Sequence, residues 1–321
     1  GDLETVRKYL ARGGDPNTRS IQRGSTDTPL HVAARHRQTY IARMLIGAGA
    51  NVNATDAFER PPLYAALDTT YMSAARPQGG GFRGNTEALL IKQTTELVKM
   101  LVNAGASLSG LSRPFSELNR LKREMYEPPL SVAAKYGYSD ALRFLLAQGA
   151  EIEIEDYQGD TPLITAIRCG QPEASHILIA AGADVSRMPY SPTYAEETQL
   201  MMVVRSERFS AEEKLELIQR MVAAGADVNR PDATGDTPLI KAVRFGTDHY
   251  YAMIGFGNEP DVEWRVTKWP VYNKWRPEEV AAVARALLAA GADASLRDRD
   301  AKTAHNIASA AGLTEAAAVL S

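Results

Sequence analysis

The chain has 321 residues, of which 45% are hydrophobic and 23% are charged, and 36 Lys and Arg against 39 Asp and Glu give a net charge of −3. This composition excludes wholesale disorder, a collagen-like fibre and a multispan membrane protein, and it disfavours nucleic-acid binding by bulk positive charge. No apolar run is long enough for a membrane-spanning helix. The single cysteine, Cys169, excludes an intramolecular disulfide.

A short landmark, Thr-Pro-Leu or a near variant, recurs along the chain. It begins at Thr28, Pro61, Pro128, Thr161, Thr198, Thr237 and Thr303. Thr28 and Pro61 are 33 residues apart, as are Pro128 and Thr161, and Thr237 and Thr303 are 66 apart. A fixed period of this length predicts an array of stacked structural repeats.

A second landmark, two apolar residues followed by a Gly-Ala pair, keeps phase with the first. Its glycines are Gly13, Gly49, Gly105, Gly149, Gly182, Gly225 and Gly291. From Gly49, Gly149, Gly225 and Gly291 the next Thr-Pro-Leu landmark begins 12 residues later. Two landmarks in constant phase indicate a repeating unit rather than chance.

Each unit is predicted to be a helix hairpin followed by an extended finger. Thr or Pro followed by Pro favours a helix start. The fifth residue after the landmark start is small in nearly every copy, which favours close approach of a neighbouring helix, and four copies have Gly at the ninth (Gly137, Gly170, Gly246, Gly312). The second helix carries the paired apolar residues and ends at the Gly of the second landmark.

These residues resemble the ankyrin repeat, and the resemblance covers nearly the whole chain. It implies an all-α solenoid of stacked helix hairpins with extended, β-hairpin-like finger loops, over a single domain at 1–321. We count about eight units: the first is truncated to its second helix, the sixth is degenerate, and 302–321 is a C-terminal cap. Only His31 keeps the family's histidine after the Leu. A start inside a hairpin favours a fragment of a longer protein.

Spacing places the insertions in units three and seven and in one finger. They lie at about 68–94, 107–127 and 247–279. The insertion at 247–279 contains all three tryptophans, Trp264, Trp269 and Trp275, together with Tyr272. Such rings are typical of interface hot spots, although they also suit a private core that folds the insertion onto the flank of the solenoid.

The resemblance implies a concave groove formed by the first helices and the fingers. The seventh residue after each landmark start is mostly basic, and the residue before each start is mostly acidic. A basic strip with aromatic neighbours favours an acidic, partly apolar protein partner, but the same bases also suit pairing with the acidic fingers. The predicted partner-binding residues are Arg35, His36, Lys135, Tyr136, Arg168, Arg205, Arg244, Phe245, Trp264, Trp269, Tyr272 and Trp275.

No pattern in the sequence predicts catalysis, a metal or a cofactor. The glycine run that begins at Gly79 has Asn85 where a phosphate loop needs Lys. The five histidines show no pair at metal-ligand spacing. Cys169 could act as a nucleophile only with a histidine base nearby, and the sequence does not indicate one. No nucleic-acid or membrane partner is predicted.

The sequence therefore predicts a non-catalytic protein-protein interaction module, monomeric on its own. One form of this function is an inhibitor or immunity protein whose insertion plugs a partner enzyme. The alternative is the targeting domain of a larger enzyme or effector whose catalytic part lies outside this chain. The compartment stays open, with a cytoplasmic location favoured.

Overall fold

The computed structural model describes residues 2–19, 26–68, 84–109, 127–189, 197–245 and 277–321. The chain divides into two compact units, Gly1–Ala166 and Ile167–Ser321, which are described separately below. Within the described ranges all regular elements are helices, which confirms the predicted all-α fold.

The first unit contains two parallel columns of helices. The first helices of its hairpins, α2, α4 and α6, pack in order on one another, and the second helices do the same from α1 through α3 and α5 to α7. The helices are α1 (Leu3–Ala11), α2 (Pro29–Arg35), α3 (Thr39–Gly47), α4 (Pro62–Leu67), α5 (Gly84–Asn103), α6 (Pro129–Lys135) and α7 (Ser139–Ala147).

The second unit repeats this arrangement. Its first helices α10, α12 and α14 pack in order, and so do its second helices α9, α11, α13 and α15. The helices are α8 (Pro162–Cys169), which contains the boundary between the units, α9 (Pro172–Ala180), α10 (Gln199–Arg205), α11 (Ala211–Ala223), α12 (Pro238–Phe245), α13 (Pro277–Ala289), α14 (Ala304–Ala310) and α15 (Thr314–Val319).

The landmark residues perform the structural roles predicted for them. Pro29, Pro62 and Pro129 each begin a first helix, where a missing N–H costs nothing. The small residue five positions after each start is fully buried in most units: Ala33, Ala66, Ala133, Ala166, Ala242 and Ala308 are at most 1% exposed. The glycines of the second landmark all have positive φ, between 80° and 99°, and end the second helices.

His31 is buried and joins two successive repeats. Its Nδ1 accepts the Thr28 backbone N–H at 3.2 Å, which requires the tautomer with the proton on Nε2, and Nε2 then donates to the Arg60 carbonyl at 3.0 Å. Burial is the largest effect on the ring and lowers the pKa of His31. His31 therefore has a structural role, because it links two successive repeats.

One described helix overlaps a predicted insertion. Helix α5 begins at Gly84 and takes in eleven residues that spacing had assigned to the insertion at 68–94. The segment after Gly84 lacks glycine and proline and includes Ala88, Leu89 and Leu90, so it favours helix. The described residues leave out most of this insertion and nearly all of the insertions at 107–127 and 247–279. The insertion boundaries and the single domain at 1–321 therefore stay predictions.

Ala301 provides a test of backbone strain in a finger. Its φ is 59°, a region that costs a non-glycine residue about 1–2 kcal/mol. Ala301→Gly is expected to raise the free energy of unfolding by about 0.5 kcal/mol, because relief of strain exceeds the added entropy of the unfolded chain. Gly225→Ala, at φ 99° with nothing within 4 Å of the added Cβ, is expected to lower it by about 1 kcal/mol. Urea denaturation measures both, and equal signs for the two variants would contradict this account.

His31 gives a pH-dependent prediction. Because the pKa of His31 is lower in the folded than in the unfolded chain, its contribution to stability is present above about pH 6.5 and is lost as the pH falls below that value. His31→Gln keeps one acceptor and one donor but does not titrate. The difference in unfolding free energy between the wild type and this variant is expected to shrink from about pH 7.5 to about pH 5.5. Parallel pH profiles for the two proteins would show that His31 does not titrate on unfolding.

Candidate interaction surface

The candidate surface consists, in each unit, of the last turns of the first helices and the fingers that precede these helices. We call it the groove face. Each predicted basic residue lies in the last turn of its helix, and an acidic residue stands eight positions earlier, just before the helix begins. The chain direction therefore brings the two side chains together at the same end of the repeat.

Four of the basic residues form an ion pair with the acid of their own repeat. The nitrogen-oxygen distances are 2.7 Å for Arg35–Asp27, 2.6 Å for Lys135–Glu127, 2.7 Å for Arg205–Glu197 and 2.9 Å for Arg244–Asp236. The bases are half-buried, with 23–32% of each side chain exposed. These four bases are thus paired within their own repeats, which is the second of the two alternatives that the sequence left open, and the acidic partner stays a prediction.

In the first unit, aromatic rings lie beside the basic residues of the groove face. The Arg60 guanidinium lies 4.7 Å from the centre of the Phe58 ring and 5.1 Å from that of Tyr64, and it pairs with Asp56 at 2.9 Å. Stacking on two rings and pairing with a carboxylate hold the cation in one place. Phe58 keeps 46% of its surface exposed at the tip of its finger. Sequence reasoning did not predict Phe58, Arg60 or Tyr64 as surface residues of interest.

Tyr64 joins this stack to the next repeat. Its hydroxyl donates to Glu127 Oε2 at 3.1 Å, while Glu127 Oε1 accepts from Lys135. Burial, followed by the charge of Glu127, raises the pKa of Tyr64, so the phenol stays protonated and remains the donor. Lys135 in turn lies 5.7 Å from the Tyr136 ring centre, and the rings of Tyr136 and Tyr138 are 6.0 Å apart. The result is a pre-organised aromatic and charged cluster across two repeats.

In the second unit, the groove face is a more deeply buried charge network. Lys241 pairs with Asp232 at 2.5 Å and lies 3.7 Å from Asp236, and Arg244 bridges Asp236 to Asp298 of the next finger. The side chains of Asp232, Asp236 and Asp298 are at most 5% exposed. Buried charges of this kind are stable only when every partner is present.

Burial and ion pairing act in opposite directions on the carboxylates of this network. Burial raises the pKa of Asp236 and of Glu197, although neighbouring cations offset part of the effect. Burial also acts to raise the pKa of Asp232, but the hydrogen bonds from Lys241 and Thr234 outweigh it, so the pKa of Asp232 is lowered. Within the second unit, burial therefore disfavours the charged forms of Asp236 and Glu197, whereas hydrogen bonding favours the charged form of Asp232.

The remaining predicted residues are placed as follows. His36 is exposed at the end of α2, and Arg168 and Phe245 are half-buried near the ends of α8 and α12. Trp264, Trp269, Tyr272 and Trp275 lie outside the described residues.

The fingers contain a second set of polar residues that sequence reasoning missed. In four fingers an aspartate accepts the backbone N–H groups two and four positions later: Asp56, Asp156, Asp232 and Asp298. Each of these aspartates lies five residues before a landmark start, so the constant spacing between the two landmarks could have revealed them. Asparagines of the fingers instead bridge successive repeats. Asn53 donates to the Gly105 carbonyl and accepts the Ser107 N–H, both at 2.8 Å.

In the ranges that the structure covers, no helix is long and apolar enough to cross a membrane. The same part of the chain contains no group of three or more His, Cys, Asp or Glu that could hold a metal ion.

Three family models match the chain. They are described as ankyrin repeats (3 copies) at residues 88–188, ankyrin repeat at 26–57 and ankyrin repeats (many copies) at 204–254.

Curated relatives share parts of the sequence. Potassium channel KOR1 of Oryza sativa subsp. japonica is 44% identical over 63 residues, which are 20% of this chain and 7% of the channel. Putative ankyrin repeat protein FPV230 of Fowlpox virus is 27% identical over 173 residues, or 50% of this chain and 83% of the viral protein. Rattus norvegicus protein fem-1 homolog A is 37% identical over 76 residues, which are 24% of this chain and 11% of that protein. The chain thus spans only a small part of the channel and of the fem-1 homolog.

Solved structures with the same fold include the ankyrin repeat domains of Bcl-3 and of human ASB11. Each matches with a TM-score of 0.57 and covers 92% of this chain and 98% of the other, at 20% and 18% sequence identity. Ankyrin repeats are in general protein-protein interaction modules and are typically non-catalytic. The phased landmarks, the stacked hairpins and these matches agree, and the chain belongs to the ankyrin-repeat family.

Proposed function

We propose that this chain is a non-catalytic module that binds a protein partner through its groove face, assisted by the aromatic-rich insertion at 247–279. The proposed partner-binding residues are those predicted from the sequence: Arg35, His36, Lys135, Tyr136, Arg168, Arg205, Arg244, Phe245, Trp264, Trp269, Tyr272 and Trp275. The observation that carries the proposal is the cluster of the first unit, in which Tyr64, Glu127, Lys135 and Tyr136 are held by one another.

Pre-organisation is the physical reason that this cluster suits binding. Residues already fixed by hydrogen bonds and ion pairs lose little entropy when a partner docks, so more of the contact energy appears as affinity. Tyrosine, tryptophan and arginine contribute most of the energy at protein interfaces. The half-exposed ion pairs each contribute only about 0–1 kcal/mol to folding, so partner contacts can replace them at small cost.

A second candidate function is a targeting domain within a larger enzyme or effector. It is supported by relatives such as potassium channel KOR1 and fem-1 homolog A, in which the matched residues are 7% and 11% of the protein. Both functions use the same groove face and differ in what else the full-length protein contains. Within the first function, a specific form is an inhibitor or immunity protein whose insertion fills the cleft of a partner enzyme.

Tyr136 provides the first binding test. Its ring is half-buried beside Lys135 and Tyr138, so Tyr136→Ala is expected to weaken partner binding by about tenfold. The experiment isolates partners by affinity capture with the wild-type chain and measures the affinity of each for the variant by surface plasmon resonance.

The matched control is Tyr40→Ala, which removes a ring that is 77% exposed on α3, outside the groove face. This control is expected to bind as the wild type does. Equal affinities for the two variants, with both folded by circular dichroism, would place the interface elsewhere.

The tryptophans of the insertion provide the second binding test. Trp269→Ala combined with Trp275→Ala is expected to weaken capture of the partner while the thermal unfolding midpoint stays nearly unchanged, because interface rings contribute to binding and not to the repeat core. A fall in the midpoint without a loss of binding would assign the rings to a private core of the insertion.

A further inference from the structure

The second helices of the first unit carry an exposed patch that the groove face does not include. The patch lies on α3 and α5, which pack on each other. Tyr40 on α3 is 77% exposed, and Leu89 on α5 is 54% exposed. Arg43 on α3 and Lys92 and Lys99 on α5 are exposed as well. We call these five residues the basic patch.

The three cations of the basic patch form no ion pair with a described carboxylate. Helix α3 contains no acidic residue, and Lys99 lies 5.8 Å from the centre of the Phe144 ring. Glu96, between Lys92 and Lys99 on α5, is exposed but pairs with neither of them. The basic patch thus differs from the groove face, where four bases are paired with the acid of their own repeat.

The second unit has acidic or neutral residues at the equivalent positions of α9 and α11. Equivalence is counted back from the landmark glycine that follows each second helix. The equivalents of Tyr40, Arg43, Lys92, Glu96 and Lys99 are, in this order, Glu173, His176, Glu212, Glu216 and Gln219. All three glutamates are exposed, and we call them the acidic patch.

The acidic patch spans two neighbouring second helices, as the basic patch does, because α9 and α11 pack on each other. Glu216 pairs with Arg220 at 2.7 Å, and Glu173 Oε2 lies 3.9 Å from His176 Nδ1. Glu212 has no hydrogen-bond or ion-pair partner among the described residues. Carboxylates of this patch therefore remain accessible to cations of another molecule.

The repeat fold does not require this inversion of charge. The two helix pairs occupy the same place in their hairpins, yet one carries three cations and the other three carboxylates. One opposite charge lies beside each group, Glu96 in the first unit and Arg220 in the second. The inversion is a property of the exposed surface alone, and each unit shows its part of it independently.

We propose that the basic patch binds the acidic patch of a second copy of this chain, with Tyr40 at the apolar centre of the contact. Charge complementarity favours this occupant, because both halves of the contact are present on the chain at equivalent positions. Neighbouring helices pack about 8–10 Å apart. Charges spaced across α3 and α5 therefore match charges spaced across α9 and α11.

Tyr40 gives this contact an anchor as well as a charge pattern. An exposed tyrosine supplies a large contact area with few side-chain torsions to order, which is why tyrosine is enriched at interface hot spots. The contact is heterologous, since it joins two different patches. It involves none of the groove-face residues, so it is separate from the proposed partner binding. At low concentration the chain is expected to stay the monomer that its sequence predicts, because small charged contacts are weak.

Sedimentation equilibrium of the whole chain tests this contact. At about 50 mM NaCl the average mass of the wild type is expected to rise with protein concentration, and at about 500 mM NaCl the association is expected to be about tenfold weaker, because salt screens exposed charges. A wild type that stays monomeric up to about 1 mM protein at the lower salt concentration would overturn the proposal.

Two charge-reversed variants locate the contact. Arg43→Glu combined with Lys99→Glu makes the basic patch acidic, and Glu173→Lys combined with Glu212→Lys makes the acidic patch basic. Each variant alone then has two patches of like sign, so its association is expected to fall about tenfold or more. An equimolar mixture of the two is expected to associate as the wild type does, because each reversed patch meets its opposite on the other chain. Recovery in the mixture cannot come from misfolding. Undiminished association of either variant alone would overturn the proposal, as would a mixture that stays monomeric while circular dichroism shows both variants folded.

Two single variants separate the patch from net charge. Tyr40→Ala is expected to weaken self-association about fivefold while it leaves partner binding through the groove face unchanged. The control is Arg285→Glu, which reverses an exposed arginine at the equivalent position of α13, outside both patches, and it is expected to associate as the wild type does. An equal loss of association in Arg285→Glu and in the reversed basic patch would show that net charge drives the association, which contradicts the proposal.

Discussion

Close packing of each first helix on the next is the constraint on which the described repeats depend. Ala33, Ala66 and Ala133 in the first unit, and Ala242 and Ala308 in the second, are at most 1% exposed, so each methyl group is enclosed by the packing around its helix. A larger side chain would push the helices apart, because protein cores have no spare volume. This spacing also fixes where the last turn of each first helix lies. It thereby places Tyr64 within reach of Glu127 and Arg244 within reach of Asp298, each in the following repeat.

Polar contacts between repeats set the register of this packing. The Asn17 amide donates to the Gly49 carbonyl and accepts the Asn51 N–H, and Asn229 makes the equivalent contacts with Gly291 and Asp293 in the second unit. These are exposed hydrogen bonds of modest net energy. They join backbone groups at the ends of the second helices that would otherwise bond to water, so they favour one alignment of neighbouring repeats over its alternatives. Apolar burial thus supplies the driving force within each unit, and the asparagines and finger aspartates select the geometry.

The sequence predicted the all-α repeat fold of the described residues, because that fold depends on local signals that recur. Proline at the helix start and glycine at the helix end act within a single repeat, and alanine at the fifth position recurs at each contact between repeats, so their spacing alone locates the hairpins. The surface was predicted less well. The basic row was found, but its pairing with Asp27, Glu127, Glu197 and Asp236 depends on distances that a linear pattern leaves open. The stacking of Arg60 on Phe58 and Tyr64 and the burial of Arg37 were not predicted. Both arginines depart from the repeat pattern, and a sequence period identifies only the positions that recur.

The two units differ in how deeply the ion pairs of the groove face are buried. In the first unit, Asp27 and Glu127 keep 11% and 17% of their side chains exposed, whereas Glu197, Asp236 and Asp298 in the second keep 1–5%. A partner can exchange a half-exposed pair for its own contacts, but opening a buried network leaves charges without hydration and costs far more. The first unit therefore has the adaptable part of the surface, where exposed rings and exchangeable pairs occur together. Under the proposed function, the second unit offers a fixed polar framework, and its shape and hydrogen-bonding groups contribute more to partner selection than its net charge.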